Sequence, residues 1–170
     1  MSSNEHPAET EGDSKKTHRL ERIFLKDVSL ETPNSPEIFT MQGDPDLNVD
    51  IDSHNQALGN DMYETVLSVT ATAKLGDTTA FLIEVNQAGI YKIQGYDDQR
   101  LDRLLNVFCL RQLYPYSCST ICDLVAKAGF PQLLLAPLNF RQLYENRLNA
   151  AGAAADTGTT ESTDNELAEK

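Results

Sequence analysis

Six side chains of the sequence belong to the types that most often act as nucleophiles, general bases or zinc ligands. They are Cys109, Cys118, Cys122, His6, His18 and His54. A thiolate beside an imidazole is a common catalytic pair, and a structural zinc ion takes four such ligands. Cys118 and Cys122 are four residues apart, but no second pair completes a four-ligand set. We therefore expect buried helical thiols and no metal site.

Other signatures of enzymatic chemistry are missing from the sequence. It has no Gly-x-Ser-x-Gly elbow and no glycine-rich phosphate loop. Asp50 and Asp52 alternate with apolar residues, which is typical of the solvated face of a strand. We predict no enzymatic activity and no cofactor, so any work must be driven by binding. A hydrolase whose Cys–His pair meets only in the tertiary structure is one alternative.

Charge and composition exclude several partners. The 170 residues include 26 acidic and 14 basic ones, for a net charge of −12. Nucleic acids and anionic lipids attract clustered Lys and Arg, so neither is an expected partner. Three cysteines offer no disulfide framework, and residues 1–16 form no signal peptide. No apolar run approaches the roughly 18 residues that span a bilayer. We predict a cytoplasmic protein that does not insert into membranes.

Three regions follow from the distribution of apolar residues. Residues 1–17 are polar, and residues 151–170 combine small residues with carboxylates. Both are predicted to be disordered tails because they have little to bury. Residues 18–150 are predicted to form one domain.

The first half of this domain has the alternation of β-strands. Residues 20–31 are predicted to form a strand whose apolar face holds Leu20, Phe24, Val28 and Leu30. Residues 47–52 form a second strand, and residues 61–75 and 78–94 form a hairpin about Gly76-Asp77. Glycine inside a strand often marks a bulge, which we expect at Ala88-Gly89.

The second half has helical periodicity. Apolar residues from 101 to 113 follow the spacing of a helix, which Pro115 is predicted to break or kink. A second helical stretch covers 117–127. The apolar run 130–138 is bracketed by prolines and is predicted to be non-helical. Asn139 is a suitable N-cap for a last helix over 140–149. Strands followed by helices predict an α+β fold, a four-stranded antiparallel sheet with helices packed on one face.

Three sequence blocks resemble the SecB family of protein-export chaperones. They are residues 22–36, which end in Pro-Asn-Ser-Pro, residues 80–89 within the hairpin, and residues 130–140, Phe-Pro-Gln-Leu-Leu-Leu-Ala-Pro-Leu-Asn-Phe. Their order and spacing also agree with the family, and the resemblance covers roughly residues 19–149.

The resemblance implies an ATP-independent chaperone that holds unfolded precursor proteins and delivers them to the SecA motor. It also implies a homotetramer, a dimer of dimers with long helices at its centre. SecA would dock on the acidic outer face of the sheet, through a zinc-bearing segment of its own.

Individual positions carry over from the family. The resemblance implies SecA binding by Asp27, Glu31, Leu82 and Glu84. It implies a client-binding groove lined by Phe39, Leu47, Val49, Ile51, Tyr144 and Leu148. Positions linked to the oligomer interface are Ile83, Val85 and Gln87. Several relatives have a tryptophan in the loop after the first strand. Here Gly43 aligns with it, so this aromatic subsite is expected to be shallower or to use Met41.

Two further alternatives remain at this point. A SecB-like chaperone could be dedicated to a toxin–antitoxin pair, or the chain could be an assembly subunit without clients. The presence of Asp27, Glu31, Leu82 and Glu84 favours the SecA-linked function.

Overall fold

A computed structural model describes residues 16–156, with side chains as far as residue 151. Its strands and helices are β1 (Thr17–Glu31), β2 (Asp46–Gly59), β3 (Met62–Leu75), β4 (Thr78–Gln94), α1 (Asp98–Arg103), α2 (Leu110–Lys127) and α3 (Phe140–Asp156). A 3-10 turn (Glu37–Thr40) lies between β1 and β2, and a π-helical segment (Leu104–Cys109) joins α1 to α2. The predicted α+β fold is confirmed.

The four strands form one antiparallel sheet in the order β1-β4-β3-β2. The predicted hairpin of β3 and β4 is confirmed, and Gly76 provides the left-handed backbone of its turn, with φ +59°. β1 pairs with β4, the strand most distant from it in the sequence. β1 and β2 are therefore the two edges of the sheet.

One face of the sheet is covered by α2 and forms the core. Odd-numbered residues of β3 and β4 point to this helix side, where Val69, Ile83 and Val85 have no exposed surface. Leu113 and Ile121 of α2 are equally buried against them. Because neighbouring side chains of a strand alternate, even-numbered residues of β4 from Leu82 to Lys92 lie on the opposite, outer face.

Two bulges in β1 correct the predicted face of that strand. The register with β4 shifts between Leu20 and Arg22 and again between Leu25 and Asp27. Each shift inserts one extra residue, which reverses the alternation. Phe24 pairs with Ala88 and so lies on the outer face, whereas the prediction placed it with Leu20 on the core side.

The predicted bulge at Ala88-Gly89 is wrong. Both residues keep regular register with β1 and with β3. The presence of glycine at position 89 has a different explanation. A Cβ atom at Gly89 would lie 2.8 Å from the ring of Tyr91 and 3.0 Å from Leu113 Cδ2. Only a residue without a side chain lets α2 approach β4 this closely.

Of the predicted break or kink at Pro115, the break is wrong, because α2 continues through it. Proline in a helix interior loses one hydrogen bond and costs about 3 kcal/mol. Pro115 is exposed, so its ring faces away from the core. On the opposite side of α2, Leu113, Ser117 and Ile121 are fully buried. Burial of this face offsets the local cost.

The chain between α2 and α3 is non-helical, as predicted, and packs Leu133, Leu135 and Leu138 against the core. Asn139 caps α3 as predicted, its Oδ1 accepting from the Gln142 N–H at 3.2 Å. α3 continues to Asp156, past the predicted domain boundary at residue 150, and β1 begins at Thr17. The remaining parts of both predicted tails, 1–15 and 157–170, lie outside the described residues. Among the helices between residues 16 and 156, none has the length and apolar content of a membrane span.

Candidate functional site

A first cavity of about 430 Å³ lies where the 3-10 turn, the start of β2 and the connection after α2 meet. Phe39 and Leu47, two predicted groove residues, line it and are 50% and 44% exposed. The other lining residues are Ile38, Met41, Gly43, Pro45, Ala73, Leu75, Ala80, Phe81, Gly129, Phe130, Pro131, Gln132 and Leu133. Gln132 contributes the only polar side chain of this lining. The cavity suits an apolar side chain.

Three stacked aromatic rings form one wall of the first cavity. The ring centroids of Phe39 and Phe130 are 4.9 Å apart, and those of Phe130 and Phe81 are 5.1 Å apart. A Cβ atom at Gly129 would lie 3.4 Å from the Phe39 ring, so glycine leaves room for the stack. Phe81 and Phe130 were not among the predicted groove residues, although both line the first cavity. The proline-bracketed run that begins at Phe130 was the available signal.

The two residues linked by prediction to the missing tryptophan subsite both lie at the first cavity. Gly43 and Met41 both line the first cavity, and Met41 is exposed. Gly43 has φ +138°, a backbone conformation that favours glycine. The aromatic surface of the cavity is supplied by phenylalanine rings instead.

A second cavity of about 200 Å³ lies between β2, the π-helical segment and α3. Ile51 and Tyr144, two more predicted groove residues, line it together with Ser53, Asn106, Leu110, Phe140, Leu143 and Arg147. Val49 is partly buried on the same side of β2, between Leu47 and Ile51. Leu148 is 52% exposed on α3 and lines neither cavity. Five of the six predicted groove residues therefore extend from the 3-10 turn along β2 to α3.

A chain of polar contacts holds α3 over the second cavity. The Tyr144 hydroxyl donates to Asp102 Oδ2 at 2.6 Å, and Asn106 Nδ2 donates to Asp102 Oδ1 at 2.9 Å. Asn55 Nδ2 donates to Asn106 Oδ1 at 3.0 Å, and the Thr65 hydroxyl donates to Asn55 Oδ1 at 2.8 Å. The hydrogen bond to the Asp102 carboxylate raises the pKa of Tyr144. These contacts connect the sheet to α3 through Asn106 of the π-helical segment and Asp102 of α1.

The four predicted SecA-binding residues share the outer face of the sheet. Glu31 lies opposite Leu82, and Asp27 lies opposite Asn86, next but one to Glu84 along β4. Directly opposed residues of an antiparallel pair point to the same side. Asn86 Nδ2 donates to Glu84 Oε1 at 3.1 Å and so orients this carboxylate.

The outer face carries uncompensated negative charge at this end. Within residues 16–156, no Lys, Arg or His nitrogen lies within 4.0 Å of a carboxylate oxygen of Asp27, Glu31 or Glu84. Asp50 and Asp52 of β2 lie on the same face by register, and of these two Asp52 has a cationic neighbour, Arg147 Nη2 at 3.8 Å from its Oδ1. The arrangement would attract a cationic segment and lose that attraction at high salt.

The three predicted interface positions lie inside the protomer. Ile83 and Val85 are fully buried beneath α2, and Gln87 is 4% exposed. Gln87 Nε2 donates to the Phe24 carbonyl oxygen at 2.8 Å, which ties β4 to β1. Any effect of these residues on assembly would act through the strands and the helix that they support.

Comparison with known families decides the identity. A family model described as preprotein translocase subunit SecB matches residues 11–151. The chain belongs to the SecB family. SecB proteins of Alkalilimnicola ehrlichii, Nitrosococcus oceani and Legionella pneumophila, each named protein-export protein SecB, are similar to it. Their identities are 47%, 46% and 46%, over 81%, 79% and 81% of this chain and 73%, 85% and 88% of theirs.

A solved structure shares the fold. It is a SecB-like chaperone of Mycobacterium tuberculosis in complex with a ChAD peptide from the HigA1 antitoxin. The TM-score is 0.61 at 16% identity, covering 71% of this chain and 90% of that one. The export proteins are much more similar in sequence than this antitoxin-linked chaperone. The protein is thus a SecB-type export chaperone and not an enzyme, and the toxin–antitoxin alternative is not favoured.

The thiols of this SecB chain also argue against the hydrolase alternative. Burial raises the pKa of Cys109 from 9.0 to about 12, and it raises the pKa of Cys118 as well. A nucleophilic thiol needs the opposite shift, because the thiolate is the reactive form.

Thiol labelling of the native protein tests this burial. At pH 8 we expect Cys109 to react with an aromatic disulfide at least about 100-fold more slowly than in denaturant, because its thiolate is suppressed and shielded. Cys109→Ala should remove this slow phase, which mass spectrometry of the labelled peptides can follow. The free energy of unfolding should also fall between pH 9 and 12, where only the unfolded chain loses this proton. Rapid native labelling of Cys109 would contradict the placement.

Proposed function

We propose that this SecB protein holds an extended apolar segment of an unfolded precursor along the helix side of β2, from the first cavity to the second. The observation that carries the proposal is the line Leu47–Val49–Ile51, which joins the two cavities. Leu47 and Ile51 are four residues apart, or about 13 Å in a strand. Client side chains spaced by a few residues would enter both cavities.

The edge position of β2 supports the same binding mode. β2 pairs with β3 alone in the described sheet, so its other edge offers unpaired backbone groups. An extended peptide can pair with such an edge while alternate side chains enter pockets. Backbone pairing is independent of side-chain identity, which suits a chaperone with many clients. The related fold from Mycobacterium tuberculosis, solved with a bound peptide, supports peptide binding by this architecture.

SecA docking is assigned in this proposal to the outer face, at Asp27, Glu31, Leu82 and Glu84. The groove residues and these four lie on opposite sides of the sheet. A client and SecA could then bind at the same time without competing for surface. Carboxylates would steer a basic segment of SecA to the face, and Leu82 would add an apolar contact.

Assembly as a homotetramer, a dimer of dimers, completes the proposal. Each single cavity is small, so one protomer would bind a client weakly. Several grooves on one assembly raise the effective concentration of the remaining contacts and give high avidity. Clients that fold slowly would be captured preferentially, in the cytoplasm and without ATP.

Refolding of a denatured, slow-folding precursor without ATP tests this function. We expect the purified protein to arrest refolding in a dose-dependent way, with complete arrest near one tetramer per client. Addition of SecA and membranes should then permit translocation of the held precursor. Unchanged refolding of several unrelated precursors would contradict the proposal.

A further inference from the structure

A third cavity, of about 360 Å³, is unlike the other two because its walls are cationic. Four of the chain's seven arginines line it: Arg100 and Arg103 from α1, Arg111 from α2 and Arg141 from α3. The remaining lining residues, Tyr96, Leu104, Val107 and Phe108, are mainly apolar and are called the floor below. The cavity lies at the first turn of α3, outside both cavities proposed for clients.

Most of this positive charge has no partner among the described residues. Arg100 Nε lies 3.4 Å from Asp97 Oδ2. Among the side chains of residues 16–151, no carboxylate oxygen lies within 4.0 Å of the guanidinium groups of Arg103, Arg111 or Arg141. Asp102, the acidic neighbour of Arg103, accepts hydrogen bonds from Tyr144 and Asn106. Three exposed guanidinium groups converging in a protein of net charge −12 indicate an anionic occupant.

We propose that this arginine cavity binds the acidic segment 161–169 of the same chain. Residues 157–169 contain Glu161, Asp164, Glu166 and Glu169 and no basic residue. Leu167, between two of these carboxylates, can rest on the apolar floor of the cavity. The carboxylates of the segment therefore match the arginine walls of the cavity, and its leucine matches the apolar floor.

The length of chain beyond α3 permits this contact. Arg141 lies near the start of α3, about 22 Å from Asp156 at 1.5 Å per residue. An extended chain covers about 3.3 Å per residue, so Asp164, Glu166 and Glu169 can reach about 26, 33 and 43 Å from Asp156. Glu161, at about 17 Å, falls short of Arg141. Asp164, Glu166 and Glu169 can therefore reach back along α3 to the cavity. Three guanidinium groups, those of Arg103, Arg111 and Arg141, are available there to pair with them.

Attachment to the same chain makes weak contacts sufficient. Each exposed ion pair stabilises little by itself, but a tethered segment binds at an effective concentration in the millimolar range. The docked segment would neutralise the cationic surface and keep it from acidic partners, including the outer faces of other copies. This inference does not depend on clients or on SecA, and neither enters its test.

Photo-cross-linking of the full-length protein tests the contact. A benzoylphenylalanine is placed at position 167, and adducts are mapped by mass spectrometry. We expect most adducts on peptides that contain Leu104, Phe108, Arg111 or Arg141. Their yield should fall about fivefold in 1 M NaCl, where the Debye length is about 3 Å. Mixing isotopically light and heavy protein should show adducts within one chain; adducts only between chains would overturn the proposed route.

Matched variants identify the charges responsible. R103Q/R111Q/R141Q should lower the adduct yield about fivefold, as should E161Q/D164N/E166Q/E169Q. R19Q/R22Q/K92Q removes the same charge from the outer face and should change the yield less than twofold. Circular dichroism and solution mass verify folding and assembly, and the single variant R141Q, expected to halve the yield, serves if the triple variant is unstable. Unchanged adducts in the arginine variants would overturn the proposal. A loss of assembly with adducts elsewhere would do so too and assign the arginines to a contact between copies.

Discussion

Replacement of Phe39 and Leu47 by glutamate is expected to weaken binding of an unfolded precursor about 100-fold, equivalent to about 2.7 kcal/mol. Both side chains line the first cavity and are about half exposed, so their loss should leave the fold intact. A carboxylate in this apolar cavity would be desolvated by a bound client without gaining a partner. Each apolar contact removed would cost roughly a further 1 kcal/mol.

The measurement is the affinity of the F39E/L47E variant for a labelled, permanently unfolded precursor. Leu58→Glu is the control for an added carboxylate, because Leu58 is 49% exposed but lies at the β2–β3 turn, away from both cavities. It should bind the client within about twofold of the unchanged protein. Equal losses in the two variants would mean that added negative charge, and not the first cavity, governs client binding.

Reversal of charge at Asp27 and Glu84 is the second large effect that we expect. D27K/E84K should weaken SecA binding about 50-fold and leave client arrest unchanged. The two lysines would repel a basic segment, and Leu82 beside them would retain its apolar contact. The remaining affinity should depend less on salt, because fewer ion contacts contribute to it. Titration of SecA at two ionic strengths measures both effects.

Two control variants test whether the loss of SecA binding depends on where the charge lies and on the shape of the replaced side chain. Asp123→Lys adds positive charge on α2, on the other side of the sheet, and should leave SecA affinity within about twofold. Glu84→Gln keeps the shape of the side chain and its contact with Asn86, and should have an intermediate effect. If D27K/E84K bound SecA normally, the outer face would be excluded as the docking surface.

The sequence alone predicted those elements whose causes are local. Alternation over residues 61–75 and 78–94 with glycine between them predicted the β3–β4 hairpin, which the structure confirms. Asn139 was predicted as the cap of the last helix because a side-chain oxygen can accept from a free N–H of the first turn. The family itself was recognisable from three blocks of residues, and the family model confirms it.

Errors of prediction arose where distant packing overrides local preference. Pro115 does not break α2, because the buried face of the helix offsets the missing hydrogen bond. Gly89 marks a close approach of α2 to β4 and not a bulge. Two bulges lie in β1 and move Phe24 to the outer face, which no pattern within β1 revealed.

The sequence by itself determined the hairpin, the alternating faces of β2, β3 and β4, and the acidic and apolar residue sets. Each of these depends on side-chain periods and turn chemistry within a few residues. Only the tertiary structure decided that β1 joins β4, so that Glu31 stands opposite Leu82, and that Phe39 meets Phe130. The same holds for the arginine cavity, where α1, α2 and α3 bring together residues from 100 to 141. Such contacts depend on how buried surfaces fit across long separations in the chain, which the spacing of residues along the sequence does not encode.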